Sequence, residues 1–271
     1  MKKNCIYTLL ISLLICFNAF SQSSSDEVVF VSIPGGTFKM GCTGQCGGSG
    51  TKAEIPVHDV TVDPFEIAQT EVTNAQYCKF LNDASYGEEI PTMEADGWKR
   101  QLFSEDAQIA YLNGKWQPKE GYAQYPMVYV SWYGAYKFCE FYGYRLPYEA
   151  EWEFAARGGE PHAYSGHSNI DEVGWHRGNS NDLVHPVAQL APTQYGTYDM
   201  SGNVWEWCWD WFDENYYDLK IKDNPKGPES GDGKANRGGS FDYPELSSRV
   251  SQRNYDMIQG TDFRLGFRPV K

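Results

Sequence analysis

Asp199 and Glu206 stand seven residues apart in the octet DMSGNVWE, with Gly202 between them. Glycine at that point permits a tight turn. Turned carbonyls between two carboxylates could complete the oxygen shell of calcium, which takes about six to eight such ligands. The competing reading is a pair of solvated carboxylates around an Asx turn. Other chemistry is harder to assemble. The five histidines, His58, His162, His167, His176 and His185, show no HExxH spacing, and there is no GxSxG, P-loop or GxGxxG. His162, His167 and His176 are near one another but lie in a Gly/Ser-rich stretch, where surface histidines are the default and a loop metal site the sharper alternative. Glu149, Glu151 and Glu153 follow at i, i+2 and i+4, a spacing that divides them between helix faces and weakens any paired-carboxylate reading.

The cysteines speak first about compartment. Lys2 and Lys3 precede an apolar run from Ile6 to Phe20, and Ala19 and Ser21 supply small residues before Gln22. This is the layout of a signal peptide over residues 1–21, and residues 22–271 then form a single exported domain. Lipidation at Cys16 is disfavoured by Leu14 and Ile15, where a small residue is wanted. Five cysteines remain: Cys42, Cys46, Cys78, Cys139 and Cys208. Cys42 and Cys46, in GCTGQCGGSG, suit a local disulfide better than zinc, which usually wants four ligands. Cys78 and Cys139 fall on apolar helix faces and read as small buried hydrophobes.

Composition narrows the function classes. Lys and Arg total 23 against 36 Asp and Glu, a net charge of −13; phosphate binding needs a basic patch, so nucleic acid is excluded as a partner. Aromatics are 15% of the chain, with 9 Trp and 19 Tyr, which excludes disorder. Apolar segments beyond the leader are too short to span a bilayer as a helix.

The elements that must position these residues read as follows. VVFVSIPGGTFKMG suggests a hairpin turning at Pro34-Gly35-Gly36, and Val57, Val60, Val62, Phe65 and Ile67 suggest strands on either side of Asp63-Pro64. Thr73 and Gln76 form a capping box for a helix ending near Asn82. Residues 84–124 read as an irregular insertion with one hairpin at Asn113-Gly114. Ser131 caps a helix carrying Trp132, Ala135, Tyr136 and Cys139, and Pro147 introduces YEAEWEFAAR, stopped by Gly158-Gly159. In VWEWCWDWF, Trp205, Trp207, Trp209 and Trp211 alternate with Glu206, Cys208 and Asp210, as in a half-buried strand. No internal repeat and no interdomain linker is visible.

The ordered motifs IPGGTFKMG, PVHDVTVDPFEIAQTEVTNAQYCKFLN, PMVYVSWYGAYKFCEFYGYRLPYEAEWEFAARGG, YGTYDMSGNVWEWCWDW, RGGSF and LGFRPVK give the chain a resemblance to the formylglycine-generating enzyme, or sulfatase-modifying factor, family from about Val28 onward. The resemblance implies an α+β fold of the formylglycine-generating-enzyme type, an elaborated C-type-lectin-like domain low in regular secondary structure. It also implies calcium at the Asp199 side chain, the Gly202 and Val204 carbonyls and the Glu206 carboxylate, and a pocket that includes Trp205 and Ser240. The family's first calcium site has no clear counterpart around Val173 to Val184, and the usual C-terminal disulfide partner of Cys139 is missing.

Family members oxidise a client cysteine to formylglycine with oxygen and copper, the copper held by two cysteines after RGGS. Counting from Arg237-Gly238-Gly239-Ser240, those positions are Tyr243 and Ser248, and no cysteine follows Cys208. A phenol and a hydroxyl do not replace thiolates as Cu(I) ligands. Copper and the family's catalytic pair are therefore not expected, and no catalytic residue is assigned. The expectation is a periplasmic, cell-surface or secreted binding or scaffold domain, calcium-stabilised, with a protein or peptide partner in the cell envelope. Its contacts would come from SFDYPELSSRVSQRNYDMIQGTDF, whose Tyr, Asp, Ser, Asn and Arg suit a contact surface. The alternative is an oxidoreductase of altered metal chemistry acting on a protein or small-molecule thiol, with Tyr243, Ser240, Cys208 or a histidine in the same pocket.

Overall fold

The computed structural model describes residues 26–43, 52–95 and 97–271; the leader at residues 1–21 and Cys46 lie outside them. Strands β1 (Phe30–Ile33) and β2 (Gly36–Met40) do not form the expected hairpin with each other. β1 pairs antiparallel with β4 (Phe65–Ala68), and β2 with β3 (His58–Val62), in the registers Ile33↔Phe65 and Gly36↔Val62. The four are one two-stranded ribbon broken at facing points, Pro34-Gly35 on one side and Asp63-Pro64 on the other. Gly35 has φ +69°, and a Cβ there would lie 2.7 Å from the backbone of Val62, Asp63 and Pro64. The dipeptides that look like turns are opposed kinks.

Helix α1 (Asn74–Asp83) begins at the expected capping box: the Gln76 amide N–H donates to Thr73 Oγ1 at 3.3 Å and the Thr73 N–H to Gln76 Oε1 at 3.0 Å. The insertion holds two hairpins, β5 (Thr92–Ala95) with β6 (Trp98–Gln101) and β7 (Ile109–Leu112) with β8 (Lys115–Pro118). The second turns at Asn113-Gly114, both at positive φ. Helix α2 (Trp132–Tyr142) is capped by Ser131 and closed by Gly143 at φ +73°, and α3 (Glu149–Arg157) is closed by Gly158 at φ +60°.

The largest sheet is built from β9 (Trp205–Trp211), β10 (Lys234–Arg237), β11 (Asn254–Asp256) and β12 (Leu265–Gly266), in the order β11-β10-β9-β12. β12 runs parallel to β9, and the other pairings are antiparallel. With three α-helices and short strands joined by long irregular segments, the described chain is α+β. β9 is not half-buried. Its tryptophan face enters an aromatic core with Tyr77, Phe80, Phe138 and Phe267, and its other face meets a second core around Trp152, Ala155 and Val250. Both faces are therefore covered, and the carboxylates that alternation places opposite the indoles are inside the protein.

Candidate functional site: the octet, the tryptophan face and a buried charge layer

The octet is wound tightly because Asp199, Gly202 and Asn203 all take positive φ. A Cβ on Gly202 would overlap the Trp175 carbonyl, so the turn requires glycine. Backbone bonds lock it: the Gly202 N–H donates to the Gly238 carbonyl at 2.7 Å and the Asn203 N–H to the Trp175 carbonyl at 2.8 Å. Asn203 Nδ2 donates to Glu71 Oε1 at 3.0 Å, which brings Glu71, from the segment before α1, into the same buried space.

The two carboxylates of the octet have different environments. Glu206 is fully buried; Arg268 reaches its Oε2 through Nε at 2.6 Å and its Oε1 through Nη2 at 2.7 Å, and Trp152 Nε1 donates to Oε2 at 2.8 Å. Asp199 accepts the Ala188 N–H on Oδ2 at 2.7 Å, while its Oδ1 has no hydrogen-bond partner. Burial pushes the Asp199 carboxyl up to about 6, against the pull of the Ala188 N–H and of a side-chain hydrogen bond to the Glu71 carboxyl. Glu71 is also held well above the usual carboxylate range, by burial first and by the charge of Asp199 second; its Oε2 is likewise unpartnered and lies 4.0 Å from Arg268. No donor other than a proton shared between the two carboxyls reaches Asp199 Oδ1 and Glu71 Oε2, so a cation could take that proton's place, whereas Glu206 is taken up by Arg268 and Trp152.

On the tryptophan face, Tyr243 lies edge-on to Trp205, with ring centroids 5.9 Å apart at 88°. The Arg264 guanidinium lies 5.4 Å from the Tyr243 ring centre and 4.6 Å from that of Phe263. Asp262 holds Arg264 through two bonds, at 2.8 and 2.9 Å, and Asp242 stands at 3.5 Å. Ser240 Oγ donates to Asp242 Oδ1 at 2.8 Å, and the Tyr243 carbonyl accepts the Arg177 N–H at 3.0 Å. The fold thus joins Trp205, Ser240 and Tyr243 into one polar-aromatic cluster. Ser248 is fully buried, its Oγ has no hydrogen-bond partner, and it packs against the Gly239 backbone.

Among the described residues no reactive thiol is placed there. Cys78, Cys139 and Cys208 are free and buried. Burial pushes the Cys78 thiol up to about 12 and raises those of Cys139 and Cys208 as well; the thiolate is the nucleophile and metal ligand, so these groups are chemically quiet. Cys42 is disulfide-bonded. Among the histidines, His176 Nε2 is 2.9 Å from Asp171 Oδ1, and the rings of His162 and His167 are 6.5 Å apart. No group of three or more His, Cys, Asp or Glu side chains arranged for a metal occurs among the described residues.

Several site residues escape sequence reasoning. Glu149 and Glu153 share the buried face of α3 and converge on Arg237, which donates to Glu149 at 2.8 Å and to Glu153 at 2.5 Å; Arg253 also grips Glu149. Burial would raise the Glu149 carboxyl, but Arg253 and Arg237 outweigh it and hold the group at about 2. Arg249 pairs with Glu54, and Lys234 is enclosed by the rings of Trp132, Trp209 and Trp211 at 4.5, 5.6 and 4.1 Å. Arg237 and Arg268 are the arginines of RGGSF and LGFRPVK, so motif membership was the available signal for them.

Comparison with known proteins shows a match to the sulfatase-modifying factor enzyme 1-like domain across residues 17–271. The chain belongs to the sulfatase-modifying factor family. A formylglycine-generating enzyme of Thermomonospora curvata is 33% identical over 297 residues, covering 91% of this chain and 95% of that protein. Serine/threonine-protein kinase pkn1 of Chlamydia pneumoniae is 34% identical over 246 residues, or 89% of this chain, yet the chain spans only 37% of that relative's length. The solved structure of PvdO from Pseudomonas aeruginosa superposes with a TM-score of 0.71 at 25% identity, covering 91% of this chain and 95% of that one. The α+β fold is accordingly that of the sulfatase-modifying factor family.

Proposed function

We propose that this chain is an exported, non-catalytic member of the sulfatase-modifying factor family that acts as a binding or scaffold domain in the cell envelope. The observation that carries this reading is the pairing of Tyr243 with Trp205. Tyr243 occupies the position that the family resemblance assigns to one copper cysteine, Ser248 occupies the other, and the Tyr243 ring rests on the pocket tryptophan under Arg264. The nearest sequence alternative for a thiol, Cys208, is fully buried in the second core. The segment between Phe241 and Phe263 supplies the contacts, with Tyr255, Met257 and Phe263 exposed.

Calcium is part of the proposal in a narrowed form. The unpartnered oxygens of Asp199 and Glu71 fit a hard cation, with the Gly202 and Val204 carbonyls as the further oxygens the octet offers. Glu206 does not fit as a ligand while Arg268 and Trp152 hold both its oxygens. Bound calcium would neutralise two buried carboxylates and so stabilise the turn.

Metal analysis of the purified, dialysed protein tests the reading. Calcium without stoichiometric copper or iron is expected, and stoichiometric copper or iron would overturn the non-catalytic assignment.

A further inference from the structure

Away from the octet, a cavity of about 640 Å³ opens between the end of β9, the loop before β10, and β11. Its wall includes Phe212 and Tyr255, stacked with ring centroids 4.7 Å apart at 16°. Beneath them Arg253 lies 4.9 Å from the Phe212 ring centre, so the molecule already contains an arginine-aromatic stack, and Tyr255, its outermost member, is 47% exposed. Arg253 is buried and turned to the protein rather than to the cavity. Glu149, which it shares with Arg237, accepts from its Nε and Nη2, and the Ala53 and Asp213 carbonyls accept from Nη1.

The remaining charges at the cavity are Asp213, Glu214 and Asp232. Glu214 faces Lys52 at 3.3 Å, while Asp213 and Asp232 have no basic partner among the described residues. The cavity therefore combines an exposed aromatic face with an excess of negative charge, the pairing that favours a cation placed over a ring. A flat guanidinium satisfies both features better than an ammonium, because it stacks on a ring while donating in its own plane to carboxylates. Resting on the reading of this chain as a binding domain, we propose that the cavity takes an arginine side chain of a partner polypeptide, stacked on Tyr255 and held by Asp213 and Asp232.

The test is fluorescence anisotropy with the purified protein and a labelled Gly/Ser peptide containing two arginines, beside its citrulline and lysine counterparts. The arginine peptide is expected to bind more tightly than the lysine one, and the citrulline peptide, which keeps the shape and loses the charge, not measurably. Y255A keeps every charge and is expected to weaken binding about fivefold, as removal of a contact worth about 1 kcal/mol would; Y255F restores it. Asp213→Asn with Asp232→Asn weakens binding further, whereas Glu88→Gln with Glu89→Gln, an equal charge change at exposed positions on the insertion, leaves it unchanged. Equal binding of the citrulline peptide, an unchanged Y255A affinity, or equal loss in the Glu88/Glu89 variant would overturn the assignment. So would absence of binding up to about 1 mM peptide; recovery of an envelope partner by co-purification in that case would leave the binding-domain reading standing and dismiss only the cavity.

Discussion

Arg268, three residues before Lys271, holds both carboxylate oxygens of Glu206 at 2.6 and 2.7 Å in a space neither residue shares with water. The bond ties the segment after β12 to the start of β9. Its guanidinium also donates to the carbonyls of Ala68, Gln69 and Tyr198, so one side chain joins the early ribbon, the octet and the sheet. Removing one partner of a buried pair strands the other charge and costs about 3–5 kcal/mol. Arg268→Met is expected to lower unfolding free energy by that amount in urea titration. A loss below about 1 kcal/mol would show that the pair contributes little.

The same layer explains which parts of the molecule could be read from sequence. Capping at Thr73 and Ser131, glycine stops after α2 and α3, and the Asn113-Gly114 turn follow from interactions within a few residues, and all formed as expected. The hairpin expected between β1 and β2 is replaced by pairing of β1 with β4 and of β2 with β3, because Pro-Gly and Asp-Pro kinks in a broken ribbon carry the same local signal as hairpin turns. Charged residues opposite tryptophans in β9 looked solvent-facing since alternation reports which residues share a face and not what covers it. Only long-range partners, Arg268 for Glu206 and the Glu149 N–H for Asp210, make that face buriable. At the site, motif resemblance located Trp205, Ser240 and Tyr243, while Glu71 and Arg264 emerged only from their contacts.

Asp210 predicts a measurable pH dependence. Its Oδ2 accepts the Glu149 N–H at the start of α3 at 2.8 Å. Burial, then the charge of Glu149, pushes its carboxyl up to about 8 from an ordinary value of 3.8. A folded-state value above the unfolded one means that the folded protein binds the proton more tightly, so this contribution to stability is complete below about pH 4 and is lost as pH rises through about 8. The slope cannot exceed about 1.4 kcal/mol per pH unit for one proton. Asp210→Asn keeps an acceptor for the Glu149 N–H and has no charge to lose. Urea titrations from pH 5 to pH 8 should therefore show wild type losing stability relative to Asp210→Asn, and parallel profiles would refute the assignment.

The calcium site proposed at Asp199 and Glu71 predicts an effect on melting. Calcium at about 100 times its Kd stabilises by about 2.7 kcal/mol, which for a domain of this size raises Tm by roughly 5–10 °C. Chelator should reverse the rise. Asp199→Asn and Glu71→Gln should each abolish it and, by removing one of two buried carboxylates, raise the Tm of the metal-free protein. A melting temperature insensitive to both calcium and chelator would count against the site.

The central claim is that the sulfatase-modifying factor fold here persists without the family's oxidation chemistry. Its most direct test is to incubate the purified protein with copper and a sulfatase-derived cysteine peptide under air, and to follow aldehyde formation by mass spectrometry. The arrangement of Tyr243 on Trp205, with Ser248 buried against Gly239, predicts that the peptide cysteine is recovered without conversion to formylglycine; aldehyde formed in catalytic amounts would contradict it.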